Sequence, residues 1–543
     1  MCDKPNVPLN RDEIANIKAE HEDTPESFTI NHTDYESVNK ILHSLRNDCS
    51  SGFDQIPPNL VKPVIDHITS PLMHIINNSI DKQIFPDQWK VARVCPIPKT
   101  KHPTQPKDFR PVSILPLFSK VYEKVILYQL LPYIEQKIYN ETQSGFRKGH
   151  STATLLMKFR DDIKRAMNAN EITLAVLIDY SKAFDTIDHT ILLKKLIHFG
   201  FDTKSVTLLM NYLSNRTQYV QVEDKISKTL PIYFGVPQGS ILGPILFNIY
   251  VSKLPDQIVS NSIQYADDTT ISRSCKINSI LQNIKLIQND VKSLSNWSKQ
   301  NGLLFNNTKL QFIIFWKRRT TFPTDRSFLI KTNGKSIKQE DDVKLLGITL
   351  DHNLEWNTQI NNLTKSLYGT LQTLKRFKRF TPYATRKTLA ESLVLSKLNY
   401  CQAVYSDIPK YLLNRLQRVQ TCTAGYVIQK YARYNDIIRL KWLPIEESMQ
   451  YNLAKYAFKA LRTAEWPSYL PLTTLERRRN LRSSSDGLRV ENGDPGTFQH
   501  QSGYVFNSLP KKIRECEIEF EFNKLARRHY FDQAMAKSMS LYE

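Results

Sequence analysis

The sequence predicts an α+β protein whose sheet-bearing region is followed by a mostly helical C-terminal extension. Three observations carry this expectation. Thr173–Ile178 is a near-continuous apolar run that ends at Asp179, the pattern of a strand buried on both faces. Ile263–Ile271 reads as strand, tight turn, strand, with the turn at Asp267–Asp268. After about residue 357 the apolar positions fall at helical spacing, with Ile360, Leu363, Leu367, Leu371, Leu374 and Phe377 forming one stripe.

Composition narrows the class. The 543 residues are 41% hydrophobic and 10% aromatic, enough apolar material for a packed core, which excludes general disorder. Lys and Arg number 74 against 53 Asp and Glu, a net charge of +21. Such an excess points to a polyanionic partner, foremost nucleic acid, with a merely basic surface as the alternative. The seven cysteines show no paired spacing, against a disulfide framework or zinc finger and in keeping with a reducing compartment. The N-terminal residues lack a signal-peptide pattern, and the longest apolar candidate for a membrane span, Ile241–Val251, is interrupted by Pro244 and Asn248. A soluble, intracellular protein with no membrane partner is expected; nucleus and cytoplasm are not separable, and the oligomeric state is left open.

In order along the chain, 1–34 reads as a polar tail. Val38–Leu45 is a short amphipathic helix. From Ser51 to Lys107 frequent prolines predict short elements joined by fixed turns, among them a helical Leu72–Ile76 and a strand-like Val91–Cys95. His189–Phe199 has helical spacing and stops at Gly200. The stripe after 357 ends in Lys375, Arg376, Lys378 and Arg379. A further helix, Leu412–Val419, carries Arg415 and Arg418. Glu476–Ser485 is basic and then serine-rich, as in an exposed loop.

Asp179 ends the apolar strand, and Asp267 and Asp268 follow 88 and 89 positions later. Taken alone, the first reads equally as a helix cap and the other two as an ordinary solvated turn. If the strand and the hairpin share a sheet, the three acids converge, and like charges gathered in this way require a cation. Hard oxygen ligands suit Mg²⁺, and a pair of such ions supports phosphoryl transfer.

The surroundings add weight. Asp179–Asp185 (Asp-Tyr-Ser-Lys-Ala-Phe-Asp), Gly235–Ser240 (Gly-Val-Pro-Gln-Gly-Ser) and Tyr265–Asp268 (Tyr-Ala-Asp-Asp), in this order and at these intervals, resemble motifs A, B and C of reverse transcriptases. Phe109–Pro116 and Gln143–Thr152 are similar to the family's fingers blocks, Gly302–Lys309 to motif D, and Leu345–Asp351 to the primer-grip hairpin. Ser51–Pro58 and Ser181–His189 resemble the non-LTR retrotransposon group of the jockey and CR1 type. The likeness is strong over about 35–350 and extends weakly, through Trp442–Ile445 and Phe506–Pro510, to about 515.

The resemblance implies a right-hand polymerase architecture: a domain over 35–356 with fingers at 35–170 and a palm with an antiparallel sheet at 171–356, a helical thumb at 357–430, and an extension of uncertain role at 431–543. It implies RNA-directed DNA synthesis from a primer 3′-OH with deoxynucleoside triphosphates, an RNA template and DNA primer as partners, and two Mg²⁺ ions, with Mn²⁺ as a substitute. Asp179 and Asp267 would be the main metal ligands and Asp268 a supporting one, since neighbouring strand side chains point to opposite faces. Phe184 would exclude a ribose 2′-OH, or else be a core aromatic. Gln238 and Gly239 would flank the incoming nucleotide. Arg110 would hold its triphosphate, as would Lys99, whose assignment can slip among neighbouring lysines. Lys309 would protonate the leaving pyrophosphate. Leu346 and Gly347 would form the primer grip. Lys375, Arg376, Lys378, Arg379, Arg415 and Arg418 would track a duplex backbone, or form a solvated face. No endonuclease, RNase H or Cys/His knuckle pattern is found. The resemblance therefore makes the chain a truncated copy lacking the upstream endonuclease domain. The alternative is a repurposed nucleic-acid-binding protein without polymerase activity.

Overall fold

Glu123, in the second turn of the long helix Leu117–Lys137, is fully buried and accepts hydrogen bonds from two backbone amides more than a hundred residues away, which fastens that helix to the segment 241–242. A computed structural model describes residues 27–306, 308–318, 322, 328–332, 334–472 and 494–540. The chain forms two compact units, each gathered from separated stretches: residues 1–146, 179–259 and 292–307 make the first, and 147–178, 260–291 and 308–543 the second. The strands in chain order are β1 (Val91–Pro98), β2 (Phe109–Ile114), β3 (Ile172–Ile178), β4 (Arg216–Val222), β5 (Lys225–Ile226), β6 (Leu230–Ile232), β7 (Asn261–Tyr265), β8 (Asp268–Cys275), β9 (Gln311–Phe315), β10 (Leu329–Thr332), β11 (Lys335–Glu340), β12 (Asp342–Leu345) and β13 (Ile348–Asp351).

The first unit carries a sheet ordered β2-β1-β4-β5, with β6 also on β4. β1 and β4 run parallel and the other pairs antiparallel. Its helices start where the sequence supplies caps. Asp34, Asp188 and Asp202 each accept the backbone N–H three residues on, opening Tyr35–His43, His189–His198 and Thr203–Leu213. Gly200, at φ +82, follows the second of these. Two expectations change here. The stretch read as a polar tail is packed from Phe28 onward: Phe28 and Ile30 are buried, and Phe28 bridges to Phe201. The proline-rich region also holds an 18-residue helix, Ile65–Lys82, with Pro71 inside it. Buried Ile65, Leu72, Ile76 and Ile80 keep it continuous, tertiary burial outweighing the one lost hydrogen bond.

The second unit contains a six-stranded sheet ordered β10-β11-β9-β3-β8-β7 and the two-stranded β12–β13 hairpin. β3 is buried at every position and lies between β8 and β9, as its unbroken apolar run requires. The expected antiparallel sheet needs one correction. β11 pairs with β9 in parallel, because it is the second strand of the β10–β11 hairpin that inserts next to β9 and leaves β10 at the edge.

The helices of this unit bury an apolar stripe against a common core. In Asn357–Arg376, Ile360, Leu367, Leu371 and Leu374 are buried. Phe377 departs from the expected stripe: the helix ends at Arg376, and Phe377 is 58% exposed. The C-terminal stretch is helical where described, at Ile445–Arg462, Phe498–Asn507 and Glu519–Ser540, with Phe458, Phe506, Leu509 and Phe522 in a second core. Within the same unit Asp161, beside buried Arg160, accepts the backbone N–H of Phe498 (2.8 Å), which fixes the helix Phe498–Asn507 to the helix Thr152–Asn168. The segment Glu476–Ser485 lies outside the described residues. Among the described residues no helix is long and apolar enough to cross a membrane.

Candidate active site

One end of the six-stranded sheet gathers three chain segments. β3 finishes with Ile178 opposite Thr269 of β8. β7 and β8 close at the pair Tyr265↔Asp268. β9 begins with Gln311 opposite Leu177, so Lys309, exposed and two residues earlier, approaches the same end. The hairpin turn is Ala266–Asp267, one residue earlier than the sequence suggested, and Asp268 is the first residue of β8. Ala266 sits at φ +56, a left-handed conformation that costs an alanine about 1–2 kcal/mol and is held here by the flanking strands.

In the first unit Asp179 caps no helix. The segment 179–181 pairs with 304–306. Asn306 donates its backbone N–H to the Asp179 carbonyl (2.8 Å) and its side-chain amide to the Asp179 carboxylate (3.3 Å). Ser181 donates to Leu304 (2.8 Å), and the Tyr180 and Phe305 rings meet edge-on.

The same unit brings together the residues assigned to nucleotide binding. Phe184 lies in a short 3₁₀ turn, Ala183–Asp185. Its ring stacks on Phe247 at 4.4 Å and meets Phe146 edge-on at 6.2 Å. The loop before the helix Gly243–Val251 is laced to that turn. Val236 donates to the Phe184 carbonyl (2.9 Å), Gly235 to Ile187 (2.8 Å), and His189 Nε2 to Gly235 (2.7 Å). Gln238 donates its amide to the Asp185 carboxylate (2.8 Å). Burial pushes the Asp185 carboxyl above the usual range, against the pull of the Gln238 amide and of Lys182 and Lys99. The loop also meets β2, where Ser113 donates to the Gln238 carbonyl (2.7 Å). A Cβ at position 239 would come within 2.2 Å of the Ser113 carbonyl, and φ there is +133, so only glycine fits. Arg110, on the same strand, and Lys99 are exposed.

Glu123 anchors this loop from below. Its carboxylate accepts the backbone N–H groups of Ile241 (2.8 Å) and Leu242 (3.0 Å), the Tyr212 hydroxyl (3.2 Å) and the Ser119 hydroxyl (3.2 Å). Burial raises its pKa, opposed by those amides and by the charge of buried Arg216. Removing the carboxylate leaves the amides of Ile241 and Leu242 without this acceptor, at about 1–3 kcal/mol each. Glu123→Ala is therefore expected to cost about 3–5 kcal/mol, read as a lower urea midpoint, and a change below 1 kcal/mol would discount this anchor.

The β12–β13 hairpin turns through Leu346 (φ +47) and Gly347 (φ +85), both left-handed as a two-residue type I′ turn demands. Tyr400 donates its hydroxyl to the Leu346 carbonyl (2.8 Å). Lys375, Arg376, Lys378, Arg379, Arg415 and Arg418 are all exposed, and Arg415 hydrogen-bonds Asn361 of the neighbouring helix. Sequence reasoning assigned no role to Asn306, Asp185 or Glu123. The first two lie inside the quoted motifs, whereas Glu123 gave no local signal.

Residues 97–350 match the family model "Reverse transcriptase (RNA-dependent DNA polymerase)", and this segment is a reverse transcriptase domain. The chain is 28% identical over 446 residues to the RNA-directed DNA polymerase from mobile element jockey of Drosophila melanogaster, covering 79% of this chain and 48% of that protein. It is 30% identical over 350 residues to the probable RNA-directed DNA polymerase from transposon BS, and 28% over 337 residues to that from transposon X-element, both of the same fly. These two alignments cover 63% and 61% of the chain and 38% and 36% of those proteins. The chain thus spans less than half the length of these relatives, and the resemblance drawn from its motifs is borne out.

Proposed function

We propose that this chain is an RNA-directed DNA polymerase that extends a primer 3′-OH with deoxynucleotides along an RNA template. The observation that carries the reading is the match of residues 97–350 to the reverse transcriptase family model, together with the β7–β8 hairpin, whose turn carries Asp267. The arrangement of 35–170 as fingers, 171–356 as palm and 357–430 as thumb belongs to the same reading.

Among the described residues no group of three or more His, Cys, Asp or Glu side chains is assembled to hold a metal ion. Mg²⁺ binds through one or two carboxylates and takes its other ligands from phosphate and water, so the oxygen donors of Asp179, Asp267 and Asp268 fit it in chemistry. When bound, Mg²⁺ (or Mn²⁺) would neutralise charge on the transferring phosphate and sharpen the primer hydroxyl as a nucleophile. Asp179, steadied by Asn306, and Asp267, on the hairpin turn, would hold it. Arg110 and Lys99 would pair with triphosphate oxygens. Gln238 and Gly239 would let the nucleotide lie close to the backbone, and Lys309 would donate a proton to the departing pyrophosphate. The Leu346–Gly347 turn would support the primer end. Exposed Arg418 and its basic neighbours would contact backbone phosphates.

Purified protein is expected to incorporate dTTP on poly(rA)/oligo(dT) with Mg²⁺ and to stop when EDTA is added. Absence of incorporation with either Mg²⁺ or Mn²⁺ would remove the polymerase reading in favour of a nucleic-acid-binding protein.

A further inference from the structure

Two segments of the second unit meet on its surface. The turn 377–382 follows the helix Asn357–Arg376, and 429–433 follows the helix Lys410–Ile428. The Gln429 amide donates to the Lys378 carbonyl (3.0 Å). Buried Arg386 ties the turn to the end of the helix Lys410–Ile428, donating to the Val427 carbonyl (2.9 Å) and the Thr381 carbonyl (2.5 Å). Residues 375–383 and 429–433 together hold Lys375, Arg376, Lys378, Arg379, Lys430 and Arg433, and no acid. Interleaved with these cations are rings that the fold leaves in solvent: Phe380 is 84% exposed and Tyr431 87%, with Phe377 and Tyr383 more than half exposed. Burial would have been the default for such aromatics.

We propose that this patch binds single-stranded nucleic acid, its rings stacking on unpaired bases while the cations hold the phosphates. Contact with a duplex backbone needs only the cations, since paired bases are stacked on one another and offer their faces to nothing else. Exposed aromatics among cations are the combination by which a protein holds an unpaired strand of any sequence, because every base has a π-face. The assignment rests on the polymerase reading in requiring a template strand, and it goes beyond the duplex contacts assigned to the neighbouring basic residues.

The test is fluorescence anisotropy with labelled oligo(U) and, separately, a DNA duplex of equal length, over a range of salt. Phe380→Ala and Tyr431→Ala are each expected to weaken oligo(U) binding by about tenfold at every salt concentration, with the salt slope and duplex affinity unchanged. Phe380→Trp is expected to bind at least as tightly as the native protein. Lys378→Gln is expected instead to flatten the oligo(U) salt slope by about 0.7. Incorporation of dTTP by the native protein is measured in parallel, so failure of the polymerase reading is seen separately from failure of the patch. Native oligo(U) affinity in both alanine variants, or an equal loss on oligo(U) and duplex, would overturn the assignment; unchanged melting temperatures verify that the variants are folded.

Discussion

Asp267→Asn is expected to remove nucleotide incorporation on poly(rA)/oligo(dT), by about a thousandfold or more, while leaving the fold intact. The scale is that of losing a group that stabilises charge in the transition state. The position explains why the fold should survive. Asp267 is a half-buried turn residue, and asparagine is as good a turn former as aspartate. Asp268 differs, being the first residue of β8 and paired with Tyr265 in the closing rung of the hairpin. With Asp268 the supporting ligand of this reading, Asp268→Asn is expected to reduce incorporation by a smaller factor. Comparable incorporation by Asp267→Asn and the native protein would remove the metal site from this turn.

Phe184→Val is expected to raise incorporation of ribonucleotides relative to deoxynucleotides by about ten- to a hundredfold, the range a change in steric fit commands. The ring is not free to turn aside. It stacks on Phe247 and abuts Phe146, and its own turn is fastened to the loop carrying Gln238 through the Phe184 carbonyl and the Asp185 carboxylate. A ring so held would discriminate sharply if it faces the sugar, because a 2′-OH would meet a wall that cannot retreat. Valine keeps part of the packing, so about 1–2 kcal/mol of stability is expected to be lost. Altered stability with unchanged sugar selectivity, from competition assays with rUTP and dTTP, would make Phe184 a core aromatic only.

Much of this was legible in the chain itself. A short apolar run rich in β-branched residues fits a strand covered on both faces, and β3 lies at that place. The cap at Asp188 is local chemistry, its side chain accepting the N–H three residues on, whereas the demand for glycine at 239 comes from the distant Ser113 carbonyl. The turn one residue early at Ala266 was not legible. Aspartates are the better turn formers, and only pairing of β7 and β8 in a fixed register makes an alanine accept a positive φ. Glu123 was silent for a related reason. A glutamate in an apolar helix carries no sign of partners 89 to 119 positions away, yet its burial secures the loop that bears Gln238.

By itself, then, the sequence determined the alternation of elements, the order of the motifs and the cationic character. Each depends on residue type and near neighbours along the chain. Tertiary structure alone decided which strand of the β10–β11 hairpin joins the sheet, which carboxylate stands in a turn and which in a strand, and which aromatics stay in solvent. Those outcomes follow from pairing and burial between distant segments, energies that no local stretch of sequence contains.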